Sequence, residues 1–346
     1  MGLPRICVVG QMPSPNVGGL PTQGESLAVL FAQDGYSVTQ VSALSNPYLC
    51  LVDIIYTLLF RHKEFDIIVL QTFSGKAFLL SDVASLISKW MRKRLVICLR
   101  GGNLPLFSRK YSRWVYRVFQ RANQIVAPSS FLAQELAWLG FPIRVIPNII
   151  RLSVYPFRPR SQFRPRLLWM RSFHQIYNPE MAVRVLAELL YQVPEVTLTM
   201  AGPDRGLLPT VQQLAQELGV STRITFLGFL DEYGKIKAGQ EHDIYLNTNQ
   251  VDNMPVSVLE MGAMGLPIVA TAVGGIPYLL EDGKDALLVP PNEPETMALA
   301  IYRILTEPAL AQELSRNARK KVEQFDWSAV LPQWKQLFDT IGKAGN

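Results

Sequence analysis

Acidic residues are missing from Val83 to Gln134, a stretch that holds ten of the 34 lysines and arginines of this chain. The other 24 basic residues face 28 acidic ones, so the net charge of +6 arises in this one block. A mildly acidic remainder with no recognised motif argues against a nucleic-acid partner. Cysteine is scarce: Cys7, Cys50 and Cys98 form no Cys-x-x-Cys and no even-numbered framework. A disulfide scaffold is thereby excluded, and reduced thiols in the cytoplasm are expected. His62, His174 and His242 are too few for a metal cluster. Gly-x-Gly-x-x-Gly is absent, which argues against a nicotinamide-dependent oxidoreductase or epimerase. The longest apolar run, Tyr48 to Phe60, is interrupted by Asp53 and is too short to span a bilayer. No signal-peptide core precedes the first apolar segment.

What is present is alternation. With 346 residues and 49% apolar content, two domains are expected. Ile6–Gly10, Ser37–Val41, Ile67–Gln71, Leu95–Leu99 and Gln124–Ala127 read as one series of strands. Arg166–Met170, Val196–Ala201, Ile224–Leu227, Ile244–Asn247, Pro267–Thr271 and Ala286–Val289 read as a second. Periodic segments between them, such as Glu25–Asp34 and Ala77–Trp90, suit crossover helices, so the class is α/β with parallel sheets. Residues 1–155 with a returning helix at 327–346 form the expected first domain, and 156–326 the second. The Arg- and Pro-rich stretch from Arg151 to Arg166 reads as the linker. Ligands bind outside the carboxyl ends of such strands, so two sheets facing each other would make a cleft.

The most informative segment is Asp252-Asn253-Met254-Pro255-Val256-Ser257-Val258-Leu259-Glu260. Asp252 or Asn253 can cap a helix, with Pro255 at its first position. Gly265 is a left-handed terminator, and an apolar strand follows. A helix start at a sheet edge offers unpaired N–H groups to a diphosphate. Glu260 would lie roughly 7 Å further along the axis, so the two acids could reach hydroxyls on either side. The plainer reading is an N-cap aspartate and a solvated glutamate.

This segment resembles the Glu-x7-Glu signature of retaining glycosyltransferases of family 4, which have the GT-B fold of two Rossmann-like domains. Gly265-Leu266-Pro267, Gly274-Gly275-Ile276-Pro277, Glu281-Asp282-Gly283 and Leu287-Leu288-Val289-Pro290-Pro291 continue the resemblance, as does Val145-Ile146-Pro147-Asn148 upstream. It implies transfer of a sugar from a nucleotide-diphosphate donor to a glycan or lipid-linked acceptor, with retention and with neither metal nor further cofactor. The chain has no Asp-x-Asp pair of the kind metal-dependent glycosyltransferases use. Asp252 and Arg171 are the expected catalytic residues, Asp252 on the donor sugar and Arg171 on the diphosphate. Glu260 is expected on the ribose, with Asn253, Met254, Val256 and Ser257 around the phosphates. Gly18 and Gly19 form the expected N-terminal glycine loop, while Gly202 and Phe229 end strands on the nucleotide side. Arg100 and Asn103 are expected on the acceptor side.

Three departures stand out. Asp252 replaces the first Glu. Ile176 falls where the family has a Lys five residues after the Arg. Arg100 stands where the family often has His. The missing Lys and His motivate the alternative of a non-catalytic nucleotide- or glycan-binding accessory protein. Asn247, Thr248 and Asn249 read as strand-end turn residues. In the acid-free block Arg109, Arg113, Arg117 and Arg121 recur every four residues, as on one face of a helix. With Tyr111, Trp114, Val115 and Val118 opposite, that face suits an anionic membrane surface, and the expected location is the cytoplasm, peripheral to the inner face of the membrane. The plainer reading is a solvated arginine face.

Overall fold

A computed structural model describes residues 3–12, 22–44 and 46–343, which fall into two units. Met1–Ile149 with Trp327–Asn346 is one, and Ile150–Asp326 the other. Each holds a six-stranded parallel sheet.

In the first unit the strands are β1 (Ile6–Val9), β2 (Val38–Val41), β3 (Ile67–Thr72), β4 (Arg94–Leu99), β5 (Gln124–Ala127) and β6 (Ile143–Val145). Its helices are α1 (Gln23–Gln33), α2 (Pro47–Phe60), α3 (Phe78–Trp90), α4 (Leu104–Lys110), α5 (Ser112–Phe119), α6 (Ser130–Glu135) and α14 (Trp327–Lys343). The strands are apolar on both sides because both sheet faces are covered. Cys7 and Val9 join the core under α2–α6, and Ile6 and Val8 the core closed by α1 and α14. Strand order is β2-β1-β3-β4-β5-β6. The winding therefore reverses between β1 and β3, where such folds bind ligands.

In the second unit the strands are β7 (Arg166–Met170), β8 (Thr197–Ala201), β9 (Ile224–Gly228), β10 (Ile244–Asn247), β11 (Ile268–Thr271) and β12 (Leu287–Val289). The helices are α7 (Pro179–Leu190), α8 (Leu208–Glu217), α9 (Glu232–Glu241), α10 (Val256–Ala263), α11 (Ile276–Leu279), α12 (Pro294–Thr306) and α13 (Pro308–Glu323). Proline opens α7, α12 and α13, where its missing N–H costs nothing. The order β12-β11-β10-β7-β8-β9 places the reversal between β7 and β10.

The stretch 151–166 is not a free linker. Three of its five arginines converge on Asp243, which is fully buried just before β10. Arg158, Arg160 and Arg164 donate to this carboxylate at 3.2, 3.1 and 2.6 Å. Arg160 also donates to the carbonyls of Gly239, His242 and Met264. Burial and the charge of Arg158 pull its pKa down to about 10. Three cations around one carboxylate make this segment part of the second unit.

Candidate functional site

The β7/β10 switch point gathers the polar residues of the second unit. Arg171 follows β7, and its backbone N–H donates to Ala201 O at 3.0 Å. A Cβ on Gly202 would lie 1.8 Å from the Arg171 carbonyl, so that glycine exists for close approach. The Arg171 guanidinium lies over the Tyr177 ring at 4.2 Å, and its Nη2 pairs with Asp252 Oδ2. Nη1 lies 3.5 Å from Ser257 Oγ. Burial opposes its charge, but Asp252, helped by Tyr177, Tyr245 and Glu260, outweighs burial and holds Arg171 above its ordinary range. Asn249 donates to the same Asp252 oxygen. Asp252 Oδ1 accepts from the backbone N–H of Asn253 at 2.7 Å.

The loop from Asp252 to Pro255 is set by two glycines. Cβ atoms on Gly274 and Gly275 would lie 2.1 Å from Asp252 O and 1.9 Å from Asn253 O. Gly275 N–H donates to Asp252 O at 3.0 Å. The pair is therefore a seat for the acidic loop. Neither Asp252 nor Asn253 caps α10, because the Asp252 carboxylate is already engaged by Arg171 and Asn249. Pro255 occupies the N-cap itself, in extended conformation, and no side chain caps the helix. Val258 N–H turns back to Pro255 O at 3.2 Å, which leaves the N–H groups of Val256 and Ser257 as the uncapped donors of the first turn. Gly265 terminates the helix at φ +78, as expected, and also makes room for the Phe157 ring.

Glu260 is buried inside α10. Its Oε1 accepts from Lys235 Nζ at 2.6 Å and from Tyr155 OH at 2.9 Å, while Oε2 has no partner among the described residues. Burial, with the Glu260 charge, pushes the Tyr155 hydroxyl well above its usual range and keeps it a donor. Tyr245 OH donates to Ser257 Oγ at 2.8 Å. Four buried polar atoms at this edge lack partners among the described residues: Arg171 Nε, Asn247 Nδ2, Asn249 Oδ1 and Glu260 Oε2. Buried polar groups are ordinarily satisfied, so these four atoms make this edge the candidate site of the second unit.

Family models match both units. "Glycosyltransferase Family 4" matches residues 17–154 and "Glycosyl transferases group 1" residues 160–321. The chain belongs to glycosyltransferase family 4. This family 4 chain resembles the D-inositol 3-phosphate glycosyltransferase of Corynebacterium jeikeium, at 26% identity over 53% of this chain and 46% of the relative. It also resembles the phosphatidyl-myo-inositol mannosyltransferase of Mycobacterium leprae, at 28% identity over 61% of this chain and 57% of the relative. The chain thus spans about half the length of these curated relatives. The fold is GT-B. Anabaena HepE, solved with UDP and glucose, aligns over 98% of this chain and all of its own with a TM-score of 0.77 at 19% identity. Sucrose-phosphate synthase from Thermosynechococcus elongatus aligns over 99% of this chain and all of its own with a TM-score of 0.81 at 18% identity.

The remaining expected site residues of this family 4 chain are dispersed. Asn253 and Met254 are buried within the loop, Val256 opens α10, and Phe229 is exposed just past β9. Gly18 and Gly19 lie outside the described residues. Arg100 and Asn103 belong to the first unit: Arg100 is buried beyond β4, and Asn103 is exposed before α4. His174 is exposed, its Nδ1 accepting from Ile176 N–H at 3.2 Å. His242 is buried between Ala238 O and Thr199 Oγ1, each at 2.7 Å from a ring nitrogen. Asn247, Thr248 and Asn249 are fully buried and help build the site rather than merely ending a strand.

The four arginines do not share one helix. Tyr111 breaks the segment between α4 and α5, leaving Arg109 on the first helix and Arg121 beyond the second. Acids flanking the block pair with three of these four arginines: Arg109 with Glu135 at 3.0 Å, and Arg117 and Arg121 with Asp82 at 2.9 and 2.6 Å. Burial pushes Asp82 up, but Arg121 and Trp114 donate to it and hold it below its ordinary value. Arg113 has no ion pair among the described residues. Among those residues, no helix is long and apolar enough to cross a membrane.

Tyr155, Lys235 and Asn249 are the site residues that motif reading missed. The second buried cation of the site comes from α9 rather than from the position five residues after Arg171.

Proposed function

We propose that this chain transfers a sugar from a nucleotide-diphosphate donor to a hydroxyl of a glycan or lipid-linked acceptor, with retention of configuration and without a metal ion. The four unpartnered polar atoms beside the uncapped start of α10 carry this reading. Glu260 Oε2 would accept a ribose hydroxyl, while Lys235 and Tyr155 hold the carboxylate still. Arg171 and the first N–H groups of α10 would take the diphosphate, replacing a metal by fixed donors. Asp252 would accept from a donor-sugar hydroxyl while it orients Arg171.

In the transfer step the acceptor oxygen bonds to the anomeric carbon as the bond to the departing phosphate oxygen breaks. Attack comes from the leaving-group face. The hydroxyl proton passes to that phosphate oxygen, and nucleoside diphosphate leaves. No carboxylate is required as nucleophile. Relatives named for inositol phosphate and phosphatidyl-myo-inositol support a polyol or glycan hydroxyl as the acceptor. Peripheral attachment to an anionic membrane would rest on Arg113, and vesicle co-sedimentation of Arg113→Gln tests it.

The deciding experiment screens UDP-, GDP- and ADP-sugars for binding and turnover, with Glu260→Ala alongside. Binding by one nucleotide, lost in the variant, is expected. No binding by any of them, or an unaffected variant, refutes the assignment. Binding without turnover against any acceptor favours the accessory-protein reading, which the replacement of His by Arg100 motivates.

A further inference from the structure

Arg100 follows β4 at the carboxyl edge of the first sheet and is only 9% exposed. Its guanidinium donates to two neutral amides, Gln71 Oε1 at 2.7 Å and Asn148 Oδ1 at 2.6 Å. Among the described residues no carboxylate pairs with it, and burial pulls its pKa below the ordinary arginine value. The nearby Cys98 offers no charge: burial pushes this thiol up to about 11, although Arg100 and Gln71 pull the other way. A buried cation without an anion is costly, and proteins ordinarily pair such groups.

Two more groups at this edge are unsatisfied. Gln71 and Thr72 end β3 and are 5% and 0% exposed, yet Gln71 Nε2 and Thr72 Oγ1 make no hydrogen bond among the described residues. Arg100 N–H donates to Thr72 O at 2.8 Å, which keeps the two strand ends in step. Gln71 is wedged against Gly10 and Gly24, where added Cβ atoms would lie 2.8 and 2.9 Å from its side chain. The cluster lies at the β1/β3 reversal, so one cation and two orphaned donors meet where this sheet is built to bind.

We propose that Arg100, Gln71 and Thr72 form an anion site that takes a carboxylate or phosphate group of the sugar acceptor. The ligand's role as acceptor rests on the transferase reading, whereas anion binding does not. Gln71→Glu would supply the missing counter-charge from within.

The test measures thermal shifts of the full chain with inorganic phosphate, glucuronate and neutral glucose. It is run in an Arg171→Gln background, which removes the guanidinium of the donor site, and the Gln71→Glu comparison within that background isolates this site from the N–H groups of α10. Phosphate or glucuronate should raise Tm while glucose does not, and whichever acts identifies the group. Gln71→Glu should raise Tm in buffer alone and weaken anion binding at least tenfold. Thr72→Val should weaken it severalfold without disturbing the fold. Equal shifts with glucose, no shift with either anion, or undiminished anion binding in Gln71→Glu overturns the proposal. UDP binding with Arg171 intact is recorded separately, so failure of the donor site is distinguishable from failure of this one.

Discussion

Lys235 Nζ lies 2.6 Å from Glu260 Oε1, and both side chains are buried. The contact ties α9 to α10 and leaves the second carboxylate oxygen unpartnered. One oxygen is thus used for rigidity and the other kept for a ligand.

Removing the lysine should therefore cost stability first. Lys235→Met leaves a carboxylate buried without its cation, and a loss of about 3–5 kcal/mol is expected in urea denaturation. Glu260→Gln keeps the shape but loses the charge, and should weaken nucleotide binding by roughly tenfold to a hundredfold. A Lys235→Met protein within about 1 kcal/mol of wild type would falsify the structural role of the pair.

The glycine seat predicts a different outcome. Gly275→Ala would drive a Cβ into Asn253 O and displace the acidic loop. Turnover should fall by about a hundredfold, because displacements near 1 Å have that effect. Gly283→Ala is the control: its φ is +72 but nothing lies within 4 Å of the added carbon. That variant should lose about 1–2 kcal/mol of stability and retain normal transfer rates.

Arg171→Lys keeps a charge but loses the planar fork that spans Asp252 and Ser257 and stacks on Tyr177. A fall of roughly a hundredfold or more in kcat/KM is expected, with folding unchanged by circular dichroism. Steady-state kinetics at wild-type rates would remove Arg171 from the chemistry.

His242 gives the pH dependence. Burial lowers its folded pKa below the ordinary 6.5, so the unfolded chain binds this proton more readily. Its contribution to stability is complete above about pH 6.5 and declines as pH falls toward the folded value, by at most about 1.4 kcal/mol per unit. Denaturation midpoints at pH 7.5 and 5.5 should differ in the wild type and converge in His242→Gln.

Much of the fold is legible because buried parallel strands leave unbroken apolar runs. Gln124–Ala127, Arg166–Met170 and Ile244–Asn247 match their read boundaries. Strand β6 escaped notice because three residues carry too little pattern. The placement of Glu260 and Arg171 at the β7/β10 edge was legible from local motifs. Tyr155 and Lys235 were not, since they reach Glu260 from 105 and 25 residues away, and no local spacing records such a meeting. The cap was misassigned for a related reason: the sequence shows that Asp252 can cap, but not that Arg171 and Asn249 already engage it. The arginine period at Arg109, Arg113, Arg117 and Arg121 is real in sequence. Its partners Asp82 and Glu135 lie just outside the window in which it was noticed.

Helix α14 bears on how the protein is made. Trp327, Trp334 and Phe338 enclose Phe31, with ring centroids 5.3–5.6 Å from it. On the ribosome that aromatic nest stays open while all of Ile150–Asp326 is synthesised, roughly 10–35 s at about 5–20 residues per second. The later unit can complete its sheet while the earlier one still waits for its last wall. Order of synthesis and order of completion are therefore opposite in this chain, and Phe31 is among the core residues left uncovered in the interval.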